Sequence, residues 1–217
     1  MSDATALETC VVACADAFRP DGEILASPMG DVPKRGAELA RATFSPDLLI
    51  EYIRYRRIFD VAWSGKRHVM MGASQIDKYG NQNISCVGDW RKPKVQLLGV
   101  RGAPGNTINH TTSYWIPKHT SRVFVDKVDV VSGIGYDRAK ELGEVSARFH
   151  EIRCIVSNLG VFDFQTPDRN MRLASIHPGV TVEEVRDSTG FDLVIADVVP
   201  ETRVPTSSEL ALLREAP

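Results

Sequence analysis

The sequence predicts an α/β protein, an open mixed sheet flanked by helices, and three observations lead there. Segments with helical apolar spacing alternate with short apolar runs set behind turn residues. The two groups richest in glycine and amide side chains, Gly72–Asn83 and Gly99–Asn106, each follow an apolar run, Val69-Met70-Met71 and Val95-Gln96-Leu97-Leu98, as turns at strand ends do. With 43% hydrophobic side chains in 217 residues, the chain can bury one sizeable core. No repeat, low-complexity tract or boundary interrupts it, so residues 1–217 read as one domain.

Taken in order, Leu7–Phe18 and Lys34–Thr43 carry helical spacing, while Gly22–Leu25 and Asp47–Ile50 are short apolar runs behind turn residues. A helix is expected around Tyr55–Trp63. Strands are expected at Val69–Ala73, Ile84–Val87, Val95–Val100, Arg122–Val131, Ile152–Ser157 and Met171–Ile176. Asp137–Ser146 reads as a polar connector, Thr181–Asp187 as a helix, and Pro200–Ser208 as the lead into a last helix, Glu209–Glu215.

Composition removes several function classes. Lys and Arg number 26 against 28 Asp and Glu, a formal charge of −2, so no basic field exists to attract nucleic acid or an anionic membrane. Met1-Ser2-Asp3-Ala4-Thr5 has no positive leader, and no apolar run approaches the roughly 20 residues that span a bilayer; a cytoplasmic location is expected. Cys10, Cys14, Cys86 and Cys154 lack Cys-x-x-Cys spacing and read as reduced thiols, the first two on one apolar helix face. His68, His110, His119, His150 and His177 form no pair at ligand spacing, so no metal is expected.

Gly72, Gln75, Asp77, Gly80, Asn81 and Asn83 stand at the spacing G-x-x-Q-x-D-x-x-G-N-x-N. This resembles the loop signature of β subunits in family I CoA-transferases. Asn106–Trp115, Arg122–Asp126 with Gly135-Tyr136-Asp137, Ser157–Phe164 and His177–Val180 are similar, more narrowly, to a divergent actinobacterial branch of that family, CoA hydrolases that open a cholesterol-derived ring. The likeness covers nearly the whole chain.

That resemblance implies a subunit that works with an α partner, as heterodimer or heterotetramer, at a site between the two. CoA enters as part of the substrate, and no permanently bound cofactor is implied. In the transferases a β-subunit glutamate in a Glu-x-Gly turn attacks the acyl group. Here Glu51 is followed by Tyr52-Ile53-Arg54, and the glycine that admits substrate is missing. The hydrolase branch implies instead a glutamate base on the α subunit, water attack on a ring ketone and retro-Claisen C–C cleavage, a step of steroid degradation. The alternatives are a CoA-transferase β subunit that moves CoA between an acyl-CoA and a free acid, and a non-catalytic scaffold. The related sequences also carry a longer acidic, glycine-containing segment after Ile50, so the abrupt join to Glu51 reads as the place of a lid missing from this chain. An intact mass of 24.0 kDa would make Glu51 a genuine post-strand residue.

Within this frame Arg101 is the leading catalytic candidate: its planar fork can clamp a carboxylate or stabilise an enolate or oxyanion. The plain alternative is an exposed arginine, or one paired with Asp77 or Asp89. Gly102, Ala103 and Gly105 offer backbone N–H groups to an oxyanion, with Pro104 stiffening the loop. Asn106 and His110 share a face if the segment turns helically, and His110 is a candidate proton carrier near neutrality or a hydrogen-bonded structural residue. Gln75 and Asp77, with Gly80 and Asn81 at left-handed positions, are read as fixing the loop against the CoA thioester rather than moving protons. Trp63, Trp90 and Trp115 read as core or subunit interface, and Tyr114, Trp115, Phe162 and Phe164 fit either as well.

Overall fold

The computed structural model describes residues 4–50 and 58–215. The chain opens with helix α1 (Ala6–Asp16), whose Thr5 and Glu8 close a reciprocal capping box. Strand β1 (Leu25–Pro28), helix α2 (Asp31–Thr43) and strand β2 (Leu49–Ile50) follow. After the undescribed stretch come α3 (Ile58–Ser64), β3 (Arg67–Met71) and two short ribbons, β4 (Gln75–Ile76) with β5 (Gln82–Asn83) and β6 (Cys86–Val87) with β7 (Val95–Gln96). The rest is α4 (Ala103–Asn109), β8 (Thr111–Ile116), α5 (Tyr136–Ser146), β9 (Glu151–Ser157), β10 (Gly160–Asp163), β11 (Arg172–Ile176), α6 (Val182–Asp187), β12 (Val194–Ile195) and α7 (Ser207–Glu215). No described helix is long and apolar enough to cross a membrane.

Eight strands make one mixed sheet in the order β12-β11-β10-β9-β8-β3-β1-β2. From β2 to β9 all neighbours are parallel; β9, β10 and β11 pair antiparallel, and β12 returns parallel to β11. The expected open mixed sheet is the observed one. One apolar cluster gathers α1, α2 and α7 with Met70, Cys154 and Val156, and the other gathers Val69, Met71, Tyr114, Phe124, Ile152, Phe162 and Phe164. Cys10, Cys14, Cys86 and Cys154 are all free and buried, and burial pushes the Cys10 and Cys154 thiols up to about 11. The terminal helices are clipped by ions: Arg203 bridges Asp16 and Glu209, and Arg214 grips Glu8.

Several expectations need correction. Asp137–Ser146 is not a connector but falls in α5; that helix lies on the surface, buries only Ala139 and kinks at Gly143, so it has no apolar stripe to announce it. Arg122–Val131 is not a strand, because only Phe124 and Val125 make isolated bridges, to Ile76 and Gly190. Strand β8 is buried on both faces, which erases the alternation that marks a strand. β10 was also missed. Val95–Val100 pairs only at its first two residues. Tyr114, Phe162 and Phe164 are core, Trp115 packs partly buried against it, and Trp63 and Trp90 are exposed.

A buried polar relay crosses the sheet. His68 on β3 meets Asp21 through Nδ1 at 2.6 Å and Ser113 Oγ on β8 through Nε2 at 2.9 Å. Burial alone would raise the Asp21 carboxyl, but His68 and Arg153 together hold it below the usual carboxylate range. Burial likewise pushes His68 down, against the pull of Asp21. An ionised Asp21 only accepts, so Nδ1 carries the hydrogen and Nε2 accepts from Ser113.

Candidate active site

Strand order reverses between β1 and β3. The chain runs from β1 out to β2, then returns past β1 to β3, and in open parallel sheets ligands bind outside the carboxyl ends of strands at such a reversal. Here those ends are Pro28 and Met71. Helix α4 is latched over the same junction. Arg67 on β3 donates from Nε to Ser27 Oγ on β1 and from Nη1 to Asn106 Oδ1 on α4, both at 2.9 Å, and Asn106 Nδ2 donates to Met71 Sδ at 3.3 Å.

The first loop is a ribbon of β4 and β5 closed by a turn that Asp77 organises. Asp77 Oδ1 accepts from the backbone N–H of Tyr79 and Asn81, both at 3.0 Å, and Asn81 Nδ2 donates to Asp77 Oδ2 at 3.0 Å and Asp137 Oδ1 at 2.9 Å. Asn81 Oδ1 receives the Gly135 N–H at 2.8 Å. Gln75 Oε1 accepts from Asn83 and from the Asp129 backbone, while its Nε2 donates to Asp129. Gln75, Asp77 and Asn81 are buried, and their polar groups are engaged inside the protein. Burial, with the Asp137 charge nearby, raises the Asp77 carboxyl to about 6 although Asn81 and Tyr79 oppose it.

Gly80 takes φ +83°, and a Cβ there would lie 2.5 Å from Ile152 Cδ1. Asn81, also expected in the left-handed region, is not among the residues with positive φ. The left-handed turn rests on Gly80 alone, because Asp77 caps the Asn81 N–H and draws it back into the ribbon. Gly135 lies so close that a Cβ would sit 2.4 Å from the Tyr79 carbonyl oxygen.

The second loop is built differently. Arg101 is exposed, holds φ +50° and makes no hydrogen bond or ion pair among the described residues; it is paired with neither Asp77 nor Asp89. A left-handed arginine carries backbone strain of the kind found at ligand sites. Gly102 and Gly105 are exposed, and among the described residues nothing lies within 4 Å of a Cβ built at Gly105. The expected row of oxyanion donors is shorter than the sequence suggested. Ala103 is buried and gives its N–H to the Val100 carbonyl at 3.0 Å, and Pro104 has none, so Gly102 and Gly105 retain amides with no partner among the described residues.

Asn106 and His110 also depart from expectation. α4 stops at Asn109, and His110 turns extended at φ −141° as its C-cap. The pair is joined by backbone, His110 N–H to Asn106 carbonyl at 3.1 Å, while the Asn106 side chain is held by Arg67 and Met71. His110 is buried and its Nδ1 has no well-formed partner among the described residues. Burial and then the Arg67 charge push it down to about 4, against a smaller pull from the Asn109 carbonyl, so it stays neutral near neutrality instead of titrating there. Arg67 and Ser27 were not foreseen. The one available signal was Arg67-His68 set directly before the apolar run Val69-Met70-Met71, and nothing in the sequence told which helix would cover the arginine. Glu51 and the join after Ile50 lie outside the described residues.

Fold and loops together define an α/β subunit that presents an open glycine turn and an arginine with no partner among the described residues at the switch point of a mixed sheet. The Coenzyme A transferase family model matches residues 57–188, and the chain belongs to that family, which acts on CoA thioesters. It is 49% identical to the "Cholesterol ring-cleaving hydrolase IpdB subunit" of Rhodococcus jostii over 236 positions, covering 99% of this chain and 93% of the relative. The subunit of the same name from Mycobacterium tuberculosis H37Rv is 47% identical over 97% of this chain and 93% of its own length. The crystal structure of Rhodococcus jostii RHA1 IpdAB superposes with a TM-score of 0.92 at 50% identity, covering 99% of this chain and 94% of that one.

Proposed function

We propose that the chain is the β subunit of a heteromeric CoA-thioester hydrolase that opens a steroid-derived ring, working in the cytoplasm with an α subunit that supplies the base. The observation that carries this reading is the near full-length 49% identity to the Rhodococcus ring-cleaving subunit. The missing Glu-x-Gly at Glu51 agrees with it, because a hydrolase has no need of an acyl-accepting carboxylate. The substrate itself brings CoA.

In the reaction, the base takes a proton from water and the hydroxide oxygen bonds to the ring ketone carbon. Collapse of the tetrahedral adduct breaks the bond to the neighbouring ring carbon, and the electron pair passes into a thioester enolate. A proton returned to that carbon leaves a new carboxylate, with CoA retained. Arg101, unpaired on its strained turn, is suited to the negative charge that builds on oxygen, and the Gly102 and Gly105 amides are suited to share it. Neutral His110 serves here as a polar wall beside Arg67 rather than as the base. Gln75, Asp77, Gly80 and Asn81 hold the adjoining wall of the CoA-thioester site.

The test is product mass spectrometry in ¹⁸O-water with the subunit co-purified with its α partner and a ring-bearing steroid-derived CoA thioester. Ring-opened product that keeps CoA and gains ¹⁸O in one carboxylate is expected. Turnover that waits for an added free acid would make the complex a CoA-transferase.

A further inference from the structure

Arg67 is a half-buried guanidinium at the strand-order reversal, and both groups it touches are neutral: Ser27 Oγ and Asn106 Oδ1, each at 2.9 Å. Among the described residues no carboxylate lies within ion-pair reach of it. Three other half-buried arginines are ion-paired, Arg153 with Asp21 and Glu151, Arg172 with Asp163 and Arg203 with Asp16 and Glu209, while Arg35 spends its recorded contact on the Leu213 carbonyl. A guanidinium taken partly out of water without an anion is unfavourable, and three of its five N–H groups remain unengaged. Beside it stands His110, buried, uncharged and with Nδ1 unpartnered. Arg67 opens β3 and His110 directly precedes β8, so both rise from the amino ends of these strands. The guanidinium, however, reaches along β3 to Ser27, one residue short of the carboxyl end of β1, and to Asn106, which also touches Met71 at the carboxyl end of β3, the side on which this kind of sheet takes its ligand.

We propose that Arg67 binds a carboxylate on the acyl portion of the CoA thioester, with Ser27 and Asn106 holding the guanidinium plane in place for a two-pronged grip. The inference rests on the CoA-thioester part of the proposed function. It separates the two arginines by task. Arg101, on an open turn, serves the oxygen that becomes charged during reaction, while Arg67, braced on β1 and α4, reads the substrate. The carboxylate is either one that the acyl chain carries from the start or the one that ring opening creates, and both present the same planar anion to the fork.

The experiment compares glutaryl-CoA with pentanoyl-CoA, equal in chain length and differing in a terminal carboxylate, by calorimetric binding to the assembled complex. The wild type is expected to prefer glutaryl-CoA by about tenfold, the scale of one well-formed guanidinium–carboxylate contact. Arg67→Gln should bring the ratio close to one with pentanoyl-CoA affinity little changed. Asn106→Asp, nearly isosteric, should do the same by giving the guanidinium an internal partner, and it serves if Arg67→Gln fails to assemble. No preference in the wild type, or a preference that both variants retain, overturns the proposal. In turnover, a KM increase in Arg67→Gln identifies the substrate's own carboxylate, and a weakened product inhibition identifies the one newly formed. No chemistry is needed for the binding ratio, so it stands or falls separately from the ¹⁸O result.

Discussion

The ribbon at Gln75–Asn83 and the turn and helix at Arg101–His110 are both rich in glycine and amide side chains, but they use them in opposite ways. In the ribbon Asp77, Asn81 and Gln75 are buried and bonded to one another, to Asp129, to Asp137 and to the Gly135 backbone. In the α4 region Arg101, the Gly102 and Gly105 amides, three N–H groups of Arg67 and His110 Nδ1 have no partner among the described residues. A satisfied polar network fixes shape, and an unsatisfied one at a crevice awaits a ligand. On the proposed reading the contrast gives form to one motif and substrate contact to the other, which the spacing G-x-x-Q-x-D-x-x-G-N-x-N could not do by itself.

The largest effect should come from Arg101→Ala. Loss of kcat/KM by roughly 10²–10³ in the assembled complex is expected, with thermal stability unchanged because the side chain holds none of the described residues. Turnover close to wild type would reduce this chain to a scaffold for its partner. Gly135→Ala should do the reverse. A methyl 2.4 Å from the Tyr79 oxygen forces the ribbon away from α5, a loss of about 1–3 kcal/mol read as a melting point several degrees lower, with kcat retained in the protein that stays folded. Asn81→Ala should cost about 1–2 kcal/mol in the same melting assay, since it strips donors from Asp77 and an acceptor from Gly135. Equal losses of activity and stability in all three variants would erase the distinction between the two regions.

The smallest effect is in the pH dependence of stability, and its sign differs between the regions. His110 has a folded pKa near 4, below the unfolded value of 6.5, so its contribution is present above pH 6.5 and is lost as pH falls towards 4. His110→Gln should remove about 1 kcal/mol of the loss at pH 5.5 in urea titrations. Asp77, raised from 3.8 to about 6, acts in the other direction: the folded state binds its proton more tightly, so stability falls as pH rises through that window. Asp77→Asn should therefore flatten the rise on acidification, not the fall.

How far the sequence could be read follows from the same physics. α2 and β11 were legible because each buries one side and so leaves a period in the residues, and α1, β3 and β9, buried nearly all round, were legible as apolar runs of the right length. β8 is buried all round yet opens with Thr-Thr-Ser, so it shows neither a period nor an apolar run, and α5 is bare nearly all round and has no apolar stripe. The two loops were legible through glycine, proline and amides, whose turn chemistry is local. Arg67, Ser27 and Asn106 were not legible as a unit, since a contact among β1, β3 and α4 exists only after the sheet has ordered its strands. The early stop of α4 at Asn109, which withdraws His110 from the helix face, was equally hidden.

Asp21, His68 and Ser113 stand in the order of acid, base and hydroxyl found in serine hydrolases, with contacts of 2.6 and 2.9 Å. Yet His68 and Ser113 are wholly buried, between strands rather than at their ends. A template search for hydrolase triads would select this trio, and a fluorophosphonate reagent applied to the folded protein would find no serine to label. What the trio supplies is mechanical: it rivets β3 to β8 through the middle of the sheet, so a nucleophile's geometry here acts as a fastener.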